Sequence, residues 1–192
     1  MNKINFENLL TKFIGRKIFY YETIDSTQKE AWRKIENNNI ENGSLIIANI
    51  QTSGVGTHGR VWHTEKNNNI AFSTVLFPNC DISKLDNLTY DIAEILVKIF
   101  KKMYQIDIDI KLPNDLIINN KKIGGILTET KLQGNRVKDL VIGIGINTNQ
   151  NEVSEEIKDI STSIKNEFNI DIDNYLIISE FCNMLEKRLG EE

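Results

Sequence analysis

The sequence lacks an apolar run long enough to span a membrane. It also lacks a signal-peptide pattern, because Asn5, Glu7 and Asn8 interrupt the N-terminus. Cysteine is scarce, and Cys80 and Cys182 lie too far apart for a metal-binding or redox spacing. Free thiols indicate a reducing compartment, so we expect a cytoplasmic protein with no membrane association. Positive charge is not in excess either, since the net charge of −4 argues against a dedicated nucleic-acid binder.

The composition is typical of a globular protein. Of the 192 residues, 40% are hydrophobic and 26% are charged. This length suffices to bury a core of ordinary size. The sequence contains no internal repeat and no low-complexity linker, so we expect residues 1–192 to form one domain.

A glycine-rich segment follows an apolar run, residues 45–48, that reads as a buried strand. Residues 54–60, called the glycine loop here, contain Gly54, Gly56 and Gly59 and end at Arg60. Successive N–H groups in such a loop can form a concave nest for an anion. The planar guanidinium of Arg60 suits a phosphate or a carboxylate. The loop alone is equally consistent with a glycine-rich surface turn that binds nothing.

Two familiar nucleotide-binding folds do not fit this loop. A dinucleotide fingerprint of the form Gly-x-Gly-x-x-Gly opens a helix directly. Here a polar run and then a strand over residues 70–78 follow instead. A protein kinase would also need His-Arg-Asp and Asp-Phe-Gly motifs downstream, and the sequence contains neither.

The rest of the chain alternates between helical and strand periodicities. A stripe of apolar residues at steps of three and four predicts a long helix starting at Ser83, and Ser26 is a predicted helix cap. The predicted elements, in chain order, are a helix over residues 1–15, a strand at 18–21, a helix from 26, a helix over 83–103, an alternating strand at 106–112, a hairpin turning at 119–120, a strand at 140–147 and a helix over 175–189.

Lys111 ends the alternating strand, next to the corner formed by Pro113, Asn114 and Asp115. Most lysines in such places are solvated surface charges. If Lys111 lies beside the glycine loop, it supplies a second cation for a phosphate or a carboxylate. Acyl adenylation needs such an arrangement, because positioning and charge neutralisation supply most of its rate.

Together these motifs resemble the biotin protein ligases. The resemblance covers residues 25–147 and implies an α+β fold, with a central mixed β-sheet flanked by helices as in class II aminoacyl-tRNA synthetases and lipoate ligases. It implies that biotin and ATP, with Mg²⁺, form biotinyl-AMP, and that the biotinyl group passes to a lysine of a carboxylase's biotin carboxyl-carrier domain. The motifs that carry it are Asp25-Ser26-Thr27, Gln51…Gly54-x-Gly56-x-x-Gly59-Arg60-x-Trp62, Lys111-x-Pro113-Asn114-Asp115, Lys122-Ile123-Gly124-Gly125-Ile126-Leu127 and Gly143-x-Gly145-Ile146-Asn147.

The resemblance also implies roles for individual residues. Lys111 and Arg60 are expected to neutralise charge during adenylation, with no metal ligand from the protein. The expected biotin contacts are Ser26, Thr27, Gln28, Gln51, Gly54, Val55, Gly56 and Thr57, and the expected adenylate contacts are Arg60, Trp62, Asn114 and Asn147.

The chain departs from the family pattern in its loop and at its ends. The family loop usually reads Gly-Arg-Gly-Arg-x-Gly-Arg, whereas Val55 and Thr57 replace its first two arginines here. Many relatives carry an N-terminal DNA-binding domain and a small C-terminal barrel. Residues 1–24 are too few for the former and the chain ends in a predicted helix, so no DNA binding is expected. A homodimer through exposed sheet edges, as in several relatives, is left open.

Two alternatives to a biotin ligase remain at this point. One is a ligase of the same superfamily for lipoate or a related cofactor. The other is a degenerate protein that binds biotin or biotinyl-AMP without turnover, since two loop arginines are replaced.

The missing arginines predict an intermediate that is held loosely. Thr57→Arg should restore a cation next to the acyl phosphate and slow the dissociation of biotinyl-AMP several-fold. Stopped-flow or filter-binding release rates of wild type and variant measure this. An unchanged release rate would show that position 57 does not contribute to retention.

Overall fold

The computed structural model describes residue 6 and residues 8–62, 64, 68–151 and 157–190. Within these residues, no helix combines the length and the apolar character needed to cross a membrane. The strands are β1 (Ile18–Ile24), β2 (Leu45–Gln51), β3 (Gly54–Val55), β4 (Val61–Trp62), β5 (Asn69–Leu76), β6 (Cys80–Asp81), β7 (Asp109–Lys111), β8 (Asp115–Ile118), β9 (Lys121–Gln133) and β10 (Arg136–Asn147). The helices are α1 (Thr27–Glu36), α2 (Leu88–Tyr104), α3 (Ile164–Phe168) and α4 (Asn174–Gly190).

Eight of these strands form one mixed sheet in the order β1-β2-β5-β10-β9-β8-β7, with β6 pairing to the end of β10. β1 and β2 run parallel, whereas the other neighbouring strands in this order pair antiparallel. β3 and β4 form a separate two-stranded hairpin that holds the two ends of the glycine loop. The expected fold class, a central mixed sheet flanked by helices, is confirmed.

The two faces of the sheet bury cores of different size. The larger core lies between the sheet and the helices α2 and α4, where Phe72 meets Phe181 edge to face at 5.5 Å between ring centroids. The smaller core lies under α1, where Ala31 packs with Val75 and Val141. Because α1 covers only part of its face, the remainder of that face is open to form a site.

Most of the predicted elements are confirmed, including α1 with Ser26 as its N-cap and the hairpin between β8 and β9. The hairpin turns at Asn119 and Asn120, which both have positive φ, a conformation that asparagine tolerates better than most residues. The alternating run that predicted a strand over residues 106–112 is ordered as a strand only at β7. Ile106 and Ile108 are nevertheless buried, as their periodicity predicted.

Two helix predictions are wrong in whole or in part. Residues 8–15, which were predicted to be helical, do not form a helix. Residues 1–5 and 7 of the same prediction lie outside the described part of the chain. Within residues 8–15, the side chain of Glu186 accepts hydrogen bonds from the backbone N–H groups of Lys12, Phe13 and Ile14. In a continuous helix through this segment, these N–H groups would instead donate to carbonyl oxygens of the preceding turn. The helix predicted from Ser83 begins at Leu88, because residues 82–85 form a 3₁₀ turn capped by Asp81.

The junction between β1 and α1 is fixed by Asp25. Its carboxylate accepts the Ser26 N–H at 2.8 Å and a pair of bonds from Arg33 at 2.7 and 2.9 Å. The hydrogen bonds from Arg33 lower the pKa of the Asp25 carboxyl from 3.8 to about 2. The start of α1 is thereby tied to its own second turn.

Asp25 should therefore stabilise the fold above about pH 4 and lose this contribution as the pH falls towards 2, because its pKa is lowered in the folded state. Asp25→Asn should be less stable than wild type at pH 6, and the difference should shrink by pH 2. The pair is more than a third exposed, so we expect at most about 1 kcal/mol.

Urea unfolding at both pH values measures this difference. Asp107→Asn is a suitable control, because Asp107 pairs with Lys101 on the open surface, where its side chain is 83% exposed. A stability difference between wild type and Asp25→Asn that persists unchanged at pH 2 would contradict the ionic origin of the effect.

Candidate functional site

A cavity lies on the α1 face of the sheet, between the N-terminus of α1, the glycine loop and strands β5, β9 and β10. Its lining residues come from distant parts of the sequence, between residues 26 and 145, as is common for ligand pockets. The predicted site residues that line it are Ser26, Thr27, Gln28, Gln51, Val55, Gly56, Thr57, Trp62 and Asn114.

The wall of the cavity next to α1 is a cluster of linked polar side chains. The Ser73 hydroxyl on β5 lies 2.9 Å from Thr27 Oγ1 and 3.0 Å from Gln28 Oε1, and its single proton can be donated to either oxygen. Gln51 Oε1 accepts the Thr27 N–H at 2.8 Å and the Thr27 hydroxyl at 3.1 Å. With its oxygen so engaged, Gln51 keeps its amide N–H₂ as donors.

Gln51 is also held by its backbone. The Thr64 hydroxyl accepts the Gln51 N–H at 2.6 Å and donates to the Gln51 carbonyl at 3.2 Å. Both ends of the residue are therefore fixed at the point where β2 gives way to the glycine loop. A polar group held in this way is preorganised for a ligand.

The indole of Trp62 covers the floor of the cavity. The floor is flat because Gly145 pairs with Gly125 across β10 and β9. A Cβ on Gly145 would come within 2.7 Å of Trp62 Nε1 and would overlap the ring. The Trp62 Nε1–H is buried and has no hydrogen-bond partner among the described residues, so it is a donor available to an incoming group.

The indole leaves little room in this conformation. The open volume is about 40 Å³, whereas pockets for small molecules usually measure about 300–1,000 Å³. In this conformation the indole therefore occupies part of the space that a ligand of ordinary size would need.

Lys122 is the lysine that lines the cavity, among the residues that the structure describes. Its Nζ lies 2.6 Å from Asp115 Oδ1 and 5.9 Å from the centre of the Trp62 ring. A Cβ on Gly125 would come within 3.3 Å of this Nζ, so the glycine makes room for the ammonium group. A cation, an indole N–H and the amide of Gln51 thus converge on one space.

Lys111 is not among the lining residues, contrary to expectation. It is exposed on the edge strand β7, where it pairs with Asp115 across the turn. The physical reason is its place in the sheet: Lys111 lies on the same face as the cavity, but on the edge strand β7, where Asp115 of β8 separates it from Gly125 of β9. The turn at 112–114 then brings Asn114 to the cavity in its place.

Arg60 and Gly54 also lie off the lining. The Arg60 guanidinium is exposed and folds back on its own loop, 3.4 Å from both the carbonyl and the hydroxyl oxygen of Thr57. Gly54 is needed for packing, because a Cβ there would meet the Trp62 carbonyl at 2.5 Å. In this conformation neither residue reaches the cavity.

The two predicted asparagines differ in placement. Asn114 lines the cavity, and its Nδ2 donates to the Ile126 carbonyl at 2.9 Å, which anchors β8 to β9. Asn147 does not line it. Its amide is engaged with Asn69, Ser161 and the Thr162 carbonyl, so it holds the end of β10 to the segment before α3.

The described residues offer no group of three or more His, Cys, Asp or Glu side chains that could hold a metal ion. Asp115, a carboxylate next to the cavity, is bound to Lys122.

Sequence reasoning missed three residues of this region, namely Ser73, Lys122 and Glu129. Ser73 is a small hydroxyl in an otherwise apolar strand, which is a weak signal. Lys122 stands directly before the Ile123-Gly124-Gly125 segment, and that adjacency was the signal available. Glu129 lies on the face of β9 that α1 covers and accepts a hydrogen bond from Gln28.

Comparisons with known proteins agree with this architecture. A model of the biotin/lipoate A/B protein ligase family matches residues 20–147. The chain is 39% identical to the bifunctional ligase/repressor BirA of Bacillus subtilis over 182 residues, which are 94% of this chain and 56% of that protein. It is 26% identical to the Escherichia coli BirA over 154 residues, covering 80% of this chain and 47% of that protein.

A solved structure leads to the same result. The biotin protein ligase from Aquifex aeolicus, in complex with biotin and ATP, superposes with a TM-score of 0.76 at 27% identity, over 92% of this chain and 71% of that chain. The chain spans about half the length of the curated relatives it matches. With a family model matched over most of its length and a relative 39% identical across nearly all of it, the chain belongs to the biotin/lipoate A/B protein ligase family.

Proposed function

We propose that this protein is an ATP-dependent biotin ligase that forms biotinyl-5′-AMP and transfers the biotinyl group to a lysine of a carboxyl-carrier domain. The observation that carries the proposal is the convergence of a fixed polar cluster and Lys122 on one cavity. Among the relatives, one is named as a biotin–protein ligase and another as a biotin–[acetyl-CoA-carboxylase] ligase. We take residues 1–192 as one catalytic domain.

The polar cluster suits the head group of biotin. A cyclic urea presents one carbonyl oxygen flanked by two N–H groups, so it needs a donor and acceptors in fixed positions. The Gln51 amide supplies N–H donors, and the oxygens of Gln28 and Thr27 supply acceptors. The dithiolane of lipoate has no such groups and would leave these buried polar atoms unmatched, at about 1–3 kcal/mol each.

Lys122 is placed to serve the reacting end. In the first step a carboxylate oxygen of biotin attacks the α-phosphorus of ATP, and the bond to the bridging oxygen breaks so that pyrophosphate leaves. The Lys122 ammonium would reduce the repulsion between the carboxylate and the α-phosphate, both of which are anionic. The unpartnered Trp62 N–H is a second donor for an acyl or phosphate oxygen. We thus assign to Lys122 the role that the sequence pattern assigned to Lys111.

The second step consumes the mixed anhydride. The neutral ε-amine of the carrier lysine attacks the acyl carbon, AMP leaves, and the amine proton is lost as the amide forms. Until then the glycine loop, with Val55, Gly56 and Thr57 on the lining, would exclude water from the anhydride.

Mg²⁺ is proposed to enter with the nucleotide. The described residues provide no protein cage for it, and Mg²⁺ commonly binds phosphate oxygens together with retained waters. The cytoplasm is the proposed location, because Cys80 and Cys182 are both free. A homodimer is left open, since the sheet ends in two edge strands, the short and charged β7 and the longer β1.

An ATP–pyrophosphate exchange assay tests the activity. Exchange should depend on biotin, and lipoate at equal concentration should neither support it nor compete. Biotin binding by calorimetry without any exchange would indicate a binding protein that does not turn over. Exchange driven by lipoate would assign the chain to the other branch of the family.

Substitution of the two lysines separates their roles. Lys122→Ala should reduce exchange by about 10²–10³-fold, because it removes a cation directed at developing charge. Lys111→Ala should exchange within about twofold of wild type, because its side chain is solvated.

Thermal unfolding of both variants checks that Lys122→Ala, which leaves Asp115 without its partner, is still folded. Full activity in Lys122→Ala, or a collapse of activity in Lys111→Ala, would overturn this assignment.

A further inference from the structure

Glu129 lies behind the cavity wall, on β9, and joins the sheet to α1. Its Oε2 accepts a hydrogen bond from Gln28 Nε2 at 2.9 Å and another from Trp32 Nε1 at 2.7 Å. Both donors are on α1, one turn apart. Only Gln28 of the two lines the cavity.

The two ends of the Gln28 amide meet different partners. The nitrogen end faces Glu129 and, at 3.4 Å, the Val141 carbonyl, which are both acceptors. The oxygen end faces the Ser73 hydroxyl at 3.0 Å. Because a carboxylate can only accept, a rotation of the amide by half a turn would place two acceptors face to face at 2.9 Å.

Gly143 provides the space for this oxygen. A Cβ at position 143 would lie 2.6 Å from Gln28 Oε1, well inside contact distance. The amide oxygen therefore lies directly on the backbone of β10, at the edge of the cavity. Its position depends on Glu129 from behind and on Gly143 from below.

We propose that Glu129 is a positioning residue for substrate selection, which fixes Gln28 so that its carbonyl oxygen faces the cavity as an acceptor for a ureido N–H. The inference rests on the proposed function and deepens it. The direction of the amide decides whether this wall accepts or donates a hydrogen bond. With the amide reversed, Gln28 would present N–H groups to the N–H groups of the substrate.

The direction in which the neighbouring Ser73 hydroxyl donates follows from the same anchor. With Gln28 Oε1 held as an acceptor, the Ser73 proton has a partner, and the Thr27 hydroxyl donates its own proton to Gln51 Oε1. The Gln51 N–H₂ is then left to donate to the urea carbonyl. The Glu129 carboxylate outside the cavity thereby sets the donor and acceptor sense of Gln28 and Ser73, whereas the Thr27 backbone N–H fixes that of Gln51.

Three substitutions test this with biotin binding measured by calorimetry in the absence of ATP. Glu129→Leu removes the acceptor and should raise the Kd for biotin roughly 10- to 100-fold, as expected when a buried donor is left unmatched. Glu129→Gln retains an oxygen that can accept from Gln28, so it should stay within about threefold of wild type. Trp32→Phe removes the other donor to the same oxygen and is the matched control, with an expected Kd close to that of wild type.

A second readout separates positioning from general loss of structure. Wild type should bind biotin much more tightly than a derivative methylated on a ureido nitrogen, and Glu129→Leu should reduce this ratio at least fivefold. If Glu129→Leu does not fold, Gly143→Ala replaces it. That Cβ would lie 2.6 Å from Gln28 Oε1 but at an ordinary contact distance of 3.6 Å from the nearest printed backbone atom, the Leu127 oxygen, so the fold should persist while biotin binding weakens.

The outcomes distinguish this inference from the proposed function. Failure of wild type to bind biotin would refute the proposed function. The positioning role is refuted if wild type binds biotin but Glu129→Leu, or Gly143→Ala in its place, binds equally well. It is also refuted if Trp32→Phe weakens binding as much as Glu129→Leu, since Glu129 would then only fasten the helix.

Discussion

The hydrogen bonds between the first turn of α1 and the sheet are the constraint on which the site depends. Thr27 and Gln28 are nearly fully buried polar residues, and their partners come from β2, β5 and β9. Such groups cost free energy unless they are paired, so they can be placed in a core only as a complete network. The network therefore serves two purposes, since it satisfies the buried atoms and fixes their direction towards the cavity.

The floor of the cavity is built differently, from two glycines whose lack of a side chain lets other groups approach the backbone. Gly143 and Gly145 lie on the same face of β10, where Gln28 Oε1 and the Trp62 ring approach the backbone. Glycine in a strand interior weakens the strand by conformational entropy and by lost packing. β10 tolerates this because it is a central strand with long ladders to both β5 and β9. The scaffold thus places its weakest residues where its backbone is most firmly paired.

Hydrophobic periodicity was sufficient to predict most of this scaffold from the sequence. The stripe in α2 and the alternation before β7 depend on burial alone, which is a property of nearby residues. Helix starts were less certain, because Ser83 has the chemistry of a cap while Asp81 caps the 3₁₀ turn instead. The N-terminal segment was mispredicted because its partner, Glu186, lies about 170 residues away in the sequence. No local pattern encodes a contact of that range.

The difference between local patterns and long-range pairing also explains why the sequence pointed to Lys111 whereas Lys122 lines the cavity. The alternation correctly predicted a buried Ile108 and a half-buried Ile110, but it could not show that β7 is the edge strand of the sheet, which leaves Lys111 exposed and off the cavity lining. Lys122 is half-buried because the pairing of β8 with β9 shifts register next to it, between Leu116 and Ile117. A register shift re-aims side chains without any change in composition. Single-sequence reasoning can therefore name the segments that build such a site, but the register of their pairing decides which ammonium faces the cavity.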